Sequence, residues 1–167
     1  MKDKKVTFIV QAAVIAAIYV VLTEVFAAFS FGEVQVRLSE GLTILPYFTS
    51  ASIPGLFIGC LIANTLGGAA LPDIVFGSLA TLAGAYFSYR LRRSRWLVPI
   101  PPIAANTLIV PFILKYAYGV NLPVPLMMLT VGLGEIISCG VIGELFLTAL
   151  NKRRQAVFGS LCVSKNG

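Results

Sequence analysis

Histidine is absent from this chain and cysteine is scarce: three residues in 167, at Cys60, Cys139 and Cys162. No two of the cysteines form a CxxC pair. These gaps exclude the usual zinc-ligand sets and a vicinal redox couple. They also leave every serine and cysteine without an imidazole to activate it, which argues against a hydrolase of the triad type. The Gly-x-x-x-x-Gly-Lys-Ser/Thr loop is missing as well, so the chain cannot itself cradle ATP phosphates in that way. Charge is the third shortage. Only 12% of the residues are Asp, Glu, Lys or Arg, against about 25% in soluble domains. The expectation is a protein that is not an enzyme, carries no metal or cofactor, and does not stand free in water.

What fills the chain is apolar. The hydrophobic fraction is 57% and the mean hydropathy +0.89, an excess over the ~45–50% of soluble domains that must face lipid. The reading is a single all-α integral membrane domain over residues 1–167. The net charge of +6 does not argue for nucleic acid, because the cations are bunched. Lys2, Lys4 and Lys5 precede the first apolar run; Arg90, Arg92, Arg93 and Arg95 sit mid-chain; Lys152, Arg153 and Arg154 follow the last. The positive-inside rule makes all three groups cytoplasmic. A cleaved signal peptide is the competing reading of the first run, with Ala28-Phe29-Ser30 as a weak cleavage site. That run is too long for an ordinary signal core and carries Glu24, which favours a retained helix.

The predicted spans are 6–29, 36–50, 53–68, 73–89, 97–118 and 125–150. They give a polytopic bundle of six transmembrane helices with both termini cytoplasmic, in the plasma membrane. The second and third are shorter than the ~20 residues of a full crossing, and a re-entrant hairpin is the alternative. Ser52-Ile53-Pro54-Gly55 reads as the inner turn between them. Gly67-Gly68 closes the third, and Leu71-Pro72-Asp73 opens the fourth. On the first span Ala12 and Ala16, and likewise Ala13 and Ala17, stand four apart. That spacing lets another helix approach closely, from the same bundle or from a partner.

The chain is organised around Val34-Gln35-Val36-Arg37-Leu38-Ser39-Glu40-Gly41, a polar stretch between long apolar runs. An ionisable group close to hydrocarbon is a functional-site hypothesis by default, although Arg37 and Glu40 can also simply pair at i, i+3. The fifth and sixth spans share an outer turn, so equal distances from it mean equal depth. Asn106 and Glu135 both fall ~15–18 Å below that turn and are expected to face one another. Asn64, Arg37 and Glu40 are expected above them, forming a polar pocket that opens outward. Asp73 is either a helix cap or a ligand group, and Asn64 and Asn106 are either interhelical glue or ligand contacts. Glu144 is expected to meet the Arg90–Arg95 cluster at the inner surface, and Glu24 to meet Lys115.

Four runs carry a resemblance that covers nearly the whole chain. They are Val34-Gln35-Val36-Arg37-Leu38-Ser39-Glu40, Leu45-Pro46-Tyr47-Phe48, Ile53 to Asn64, and Asp73 to Leu82. They resemble the queuosine-precursor transporter (QueT-like) family. The resemblance implies a substrate-binding S component of an energy-coupling factor importer. It would capture a 7-deazaguanine such as preQ1, preQ0 or queuine, or a similar vitamin-like solute, at the outer face. The ATP site would lie on partner chains, a transmembrane coupling subunit and two ATPases, docked through Ala12, Ala13, Ala16 and Ala17. Within it, Glu135 or Glu40 would accept the N–H donors of a guanine-like edge, Asn64 or Asn106 would meet the ring carbonyl, and Tyr47 would stack. The rival readings are a small oligomeric carrier or channel with Glu135 as its proton site, and a membrane scaffold.

Overall fold

The structure is a computed structural model and describes residues 2–26, 37–154 and 158. Residues Val34, Gln35 and Val36 of the organising stretch, and 27–29 of the first predicted span, lie outside the described residues. Helix α1 (Lys2–Val25) contains neither Gly nor Pro and runs unbroken for 24 residues. Segment α2 (Leu38–Tyr47) is a 3-10 helix containing Gly41 and Pro46. Such winding stretches ten residues over about 20 Å, so a short segment reaches far. Helix α3 (Ser52–Leu66) ends at Gly67-Gly68, and Gly68 takes a φ of 69° that an L side chain resists. Helix α4 begins with a π turn at Asp73–Gly77 and continues as Ser78–Leu91. A 3-10 turn at Arg95–Leu97 leads into α5 (Ile100–Tyr116). Helix α6 is α-helical over Val124–Glu135, π-helical over Ile136–Ile142 and α-helical again over Gly143–Asn151.

Each predicted span overlaps one of these helical segments, and no strand occurs among the described residues. Three stretches are long and apolar enough to cross a membrane, Lys4–Val25, Arg95–Tyr116 and Val124–Asn151; Ser52–Leu66 is apolar but shorter. Large apolar side chains such as Val10, Val21, Phe87, Leu108, Leu129 and Leu145 lie exposed on the outer faces. Lipid solvates such faces, because helices satisfy their own backbone groups.

Segment α2 forms the axis of the bundle. Every residue from Ser39 to Pro46 is buried, and α1, α3, α4 and α6 all pack against it. Leu42, Ile44, Leu45 and Phe48 join Tyr19, Leu56 and Leu147 in the core, and Phe48 stacks on Phe158 with ring centroids 5.0 Å apart. A segment buried on all sides has no lipid face to show.

The turn between α2 and α3 is not at Ser52-Ile53-Pro54-Gly55, which is helical. The bend falls at Thr49–Ala51, where Ser52 Oγ donates to Thr49 O at 2.7 Å. Pro54 belongs to the first turn of α3, where its missing N–H costs nothing. Gly55 lies inside that helix. A Cβ there would stand 2.8 Å from Ala12 O, and one at Gly59 would stand 2.8 Å from Tyr19 Cβ. The two glycines therefore bring α1 and α3 into backbone contact. Ala12 and Ala16 are buried in this seam, whereas Ala13 and Ala17 are exposed on the opposite face.

Candidate ligand-binding site

Two linked polar groups lie at the centre of the bundle. The first joins α2, α3 and α4. Arg37 Nη1 donates to Asn64 Oδ1 at 3.3 Å, and Arg37 Nη2 stands 3.5 Å from Asp73 Oδ2. Asn64 Nδ2 donates to Asp73 O at 3.3 Å. Tyr118, just past the C-terminal end of α5, donates to Asp73 Oδ2 at 3.0 Å while accepting from Ala70 N–H. Burial, aided by the Asp73 charge and only partly opposed by the Ala70 N–H, holds the Tyr118 phenol above its ordinary pKa. It thus remains a proton donor at neutral pH. Asp73 Oδ1 is buried and has no partner.

The second group joins α1, α2, α5 and α6. Tyr19 donates to Glu40 Oε1. Asn106 donates to Glu135 Oε1 at 3.0 Å, and Cys139 Sγ to Glu135 Oε2 at 3.2 Å. One carboxylate oxygen from each glutamate and the Cys139 sulfur all lie within 4.8 Å of one another. These three side chains are also of the types that ligate metals. Thr81 and Asn106 approach Glu40 from α4 and α5. Glu40 Oε2 and Ser138 Oγ are buried without partners. Arg37 lies within electrostatic reach of both glutamates, which ties the two groups together.

The charge balance is lopsided. Among the described residues the buried ionisable carboxyl groups are those of Glu40, Asp73 and Glu135, and the one buried cationic side chain is Arg37. Removing a carboxylate from water costs several kcal/mol unless it is neutralised and hydrogen-bonded. Arg37 and Asp73 neutralise one another. Glu40 and Glu135 face each other with neutral hydrogen-bond donors beside them and Arg37 within electrostatic reach. Both Asp73 and Glu135 also stand where α and π winding meet, a distortion that recurs at functional sites.

The structure thus brings together Arg37, Glu40, Asn64, Asp73, Asn106 and Glu135. Glu40 is not above Glu135 at the outer mouth, as expected from its place early in the second span, but level with it. The reason is where α2 begins: Glu40 meets Tyr19, six residues (~9 Å) inside the end of α1. Tyr47 is not brought to the cluster. It lies at the far end of α2, ~14 Å along the 3-10 axis from Glu40, edge-on to Phe48 with centroids 5.1 Å apart. Glu144 pairs with Arg95, as expected. Glu24 and Lys115 form no ion pair, and Glu24 Oε1 is buried without a partner. A surface depression of about 510 Å³ at Gly119–Pro123 holds none of the cluster residues.

Sequence reasoning missed Tyr19, Thr81, Tyr118 and Cys139. Cys139 alone had a signal, since it stands four residues after Glu135 and so shares its helix face.

A lipid-facing helical bundle around a closed polar centre defines a multi-pass protein of the cell membrane. Comparison with known families narrows this. Residues 9–152 match the model of the family described as QueT transporter, and the chain belongs to that family. Over 84 residues it is 39% identical to the queuosine precursor transporter QueT of Lactococcus lactis subsp. cremoris (strain MG1363), covering 49% of each chain. The match therefore spans about half the length of this curated relative. No solved structure matches.

Proposed function

We propose that the chain, as one integral membrane domain over residues 1–167, binds a queuosine precursor for uptake into the cell. In this reading it is the substrate-binding S component of an energy-coupling factor importer, in which a transmembrane coupling subunit and two ATPases supply the drive. Its six helical segments form six spans, with both termini and the Arg90–Arg95 turn in the cytoplasm. The observation that carries the reading is the buried polar centre: Glu40, Asp73 and Glu135 with Arg37, Asn64 and Asn106, inside a bundle otherwise solvated by lipid. Idle carboxylates at such depth are expensive, so they mark a solute site.

The chemistry of a 7-deazaguanine suits this centre. Its guanine edge sets a carbonyl acceptor beside two kinds of N–H donor. Arg37 or Asn64 would answer the carbonyl, and a carboxylate would accept the adjacent donors bidentately. Membership of the QueT transporter family and the name of the Lactococcus relative both support this substrate class.

The test is to purify the chain from cells grown with queuosine precursors, identify the co-purified small molecule by mass spectrometry, and measure uptake with and without an energy-coupling module. A bound 7-deazaguanine, with uptake only when the ATPases are present, is the expected result. Uptake by this chain alone would instead make it a self-sufficient carrier.

A further inference from the structure

Lys115 stands apart from the other cations of this chain. Among the described residues those lie in the stretches Lys2–Lys5, Arg90–Arg95 and Lys152–Arg154, except for the buried Arg37. Lys115 is instead in the last turn of α5, at the end of that helix away from the Arg90–Arg95 turn. It is exposed and belongs to neither ion pair of the described residues. Two depressions meet beside it. Lys115, Tyr116 and Asn121 line the 510 Å³ depression at Gly119–Pro123. Tyr116 also lines an apolar groove of about 370 Å³ between α4 and α5. One wall of the groove is Leu108, Phe112 and Tyr116, spaced four apart and so on one face of α5. The other wall is Pro72 and Phe76, around the first turn of α4. Pro111 within α5 and the π turn of α4 interrupt regular winding on both sides, which leaves the helices unmeshed along this stretch.

We infer that the groove and the depression together bind one acidic phospholipid, with an acyl chain between Phe76 and Phe112 and the headgroup phosphate at Lys115. The occupant follows from the shape and the charge. Leu108, Phe112, Tyr116 and Phe76 are exposed, and the stripe from Leu108 to Tyr116 runs ~12 Å along the helix. A groove that is apolar along its length and cationic at one end fits a molecule that is apolar along its length and anionic at one end. Tyr116 stands at the junction, where a ring with a polar tip is at home between hydrocarbon and headgroups. Lys115 brings an uncompensated positive charge, and the Asn121 amide adds donors to the same depression. A zwitterionic lipid neutralises its own phosphate with a tethered ammonium and so offers Lys115 less. The site is separate from the buried polar centre, none of whose residues lines either depression.

Native mass spectrometry of the full chain, delipidated in detergent, tests this with phosphatidylglycerol and phosphatidylcholine of identical acyl chains. Wild-type protein should take up one phosphatidylglycerol per chain, bound about fivefold more tightly than phosphatidylcholine, the ratio that one basic side chain near a membrane surface contributes. Lys115→Gln should bring phosphatidylglycerol down to the level of phosphatidylcholine, and Lys115→Arg should keep the preference. Leu108→Trp, which fills the groove from an exposed position, should weaken both lipids. Equal wild-type affinity for the two lipids overturns the inference without recourse to any variant, since it means annular lipid only. An undiminished preference in Lys115→Gln overturns it as well. Paired chains in the same spectra that Leu108→Trp separates would give the groove to a second copy, and this too overturns it. None of these outcomes bears on the queuosine-precursor reading.

Discussion

Asn106 of α5 donates a 3.0 Å hydrogen bond to Glu135 Oε1 of α6, near the middle of two antiparallel helices. Cys139, one turn further along α6, holds the other oxygen of the same carboxylate. The Glu135 carboxylate is thus held on one side by its own helix and on the other by its neighbour. A carboxylate oxygen of Glu40 lies within 4.8 Å of it. Glu135 is buried and hydrogen-bonded without being locked in a structural ion pair.

Replacing Glu135 by Gln should lower solute affinity at least about tenfold. Asn106 can still donate to the amide oxygen, but the amide nitrogen then presents donors where the ligand offers its own. An unpaired buried donor costs ~1–3 kcal/mol, more when a charge is involved. The fold should change little, because Gln is nearly isosteric and easier to bury. Glu144→Gln is the control: Glu144 pairs with Arg95 at the other end of α6, so binding should be unaffected. Calorimetry on both variants decides the matter. Unchanged affinity in Glu135→Gln would move the principal contact to Glu40.

Gly59→Ala should destabilise the bundle by roughly 1–3 kcal/mol, the usual range for overpacking a tight contact. The added methyl would lie 2.8 Å from Tyr19 Cβ and 3.1 Å from Ala16 Cα and O, and backbone atoms cannot step aside. Pushing α1 outward also draws Tyr19 away from Glu40, so affinity should fall with stability. Gly140→Ala meets nothing nearer than Ile136 Cγ2 at 3.8 Å and should be neutral or slightly stabilising. Thermal unfolding in detergent separates the two; equal midpoints would show that α1 and α3 have slack.

The pairing of Asn106 with Glu135 was legible because two antiparallel helices joined by one turn share a common ruler of 1.5 Å per residue. Glu40 had no such ruler. Its depth depends on residues 27–36, whose number says nothing about path, and on 3-10 winding that hydropathy does not report. Pro54-Gly55 reads as a turn in isolation because the same dipeptide serves both a break and the first turn of a helix. The alanines of α1 were visible but their facing was not. Val10, Val14, Ile18 and Val21 make that helix apolar on its outer side as well as its inner one, so no polar face betrays its orientation. Tyr47 was chosen by residue type alone, and type carries no depth.

The basic clusters predict sidedness. A cysteine placed at Ser94 should be shielded from a membrane-impermeant maleimide in intact cells, and one placed at Asn121 should react. Ser94 lies in the Arg90–Arg95 turn, and Asn121 beside Gly119, where a φ of 67° marks the turn between α5 and α6. Cys60 and Cys139 are buried and contribute little background, and Cys162 is replaced by Ser. External labelling at position 94 would sink the six-span arrangement.

The last prediction concerns the two faces of α1. Ala12 and Ala16 are spent on α3, where Gly55 and Gly59 meet them. Ala13 and Ala17 remain exposed, flanked by Val10, Val14, Ile18 and Val21. If a coupling subunit docks through small residues on this helix, the exposed pair is the one it reaches. Ala16→Leu should therefore lower the melting temperature and weaken binding, because the clash is internal. The double variant Ala13→Trp, Ala17→Trp should fold and bind solute within about twofold of the parent, yet lose ATP-dependent uptake in vesicles containing the energy-coupling module, because bulk on the outer face blocks close helix approach without touching the site. Uptake at the parental rate in that double variant would mean that the outer face of α1 meets only lipid, and the coupling surface would then have to be sought on another helix.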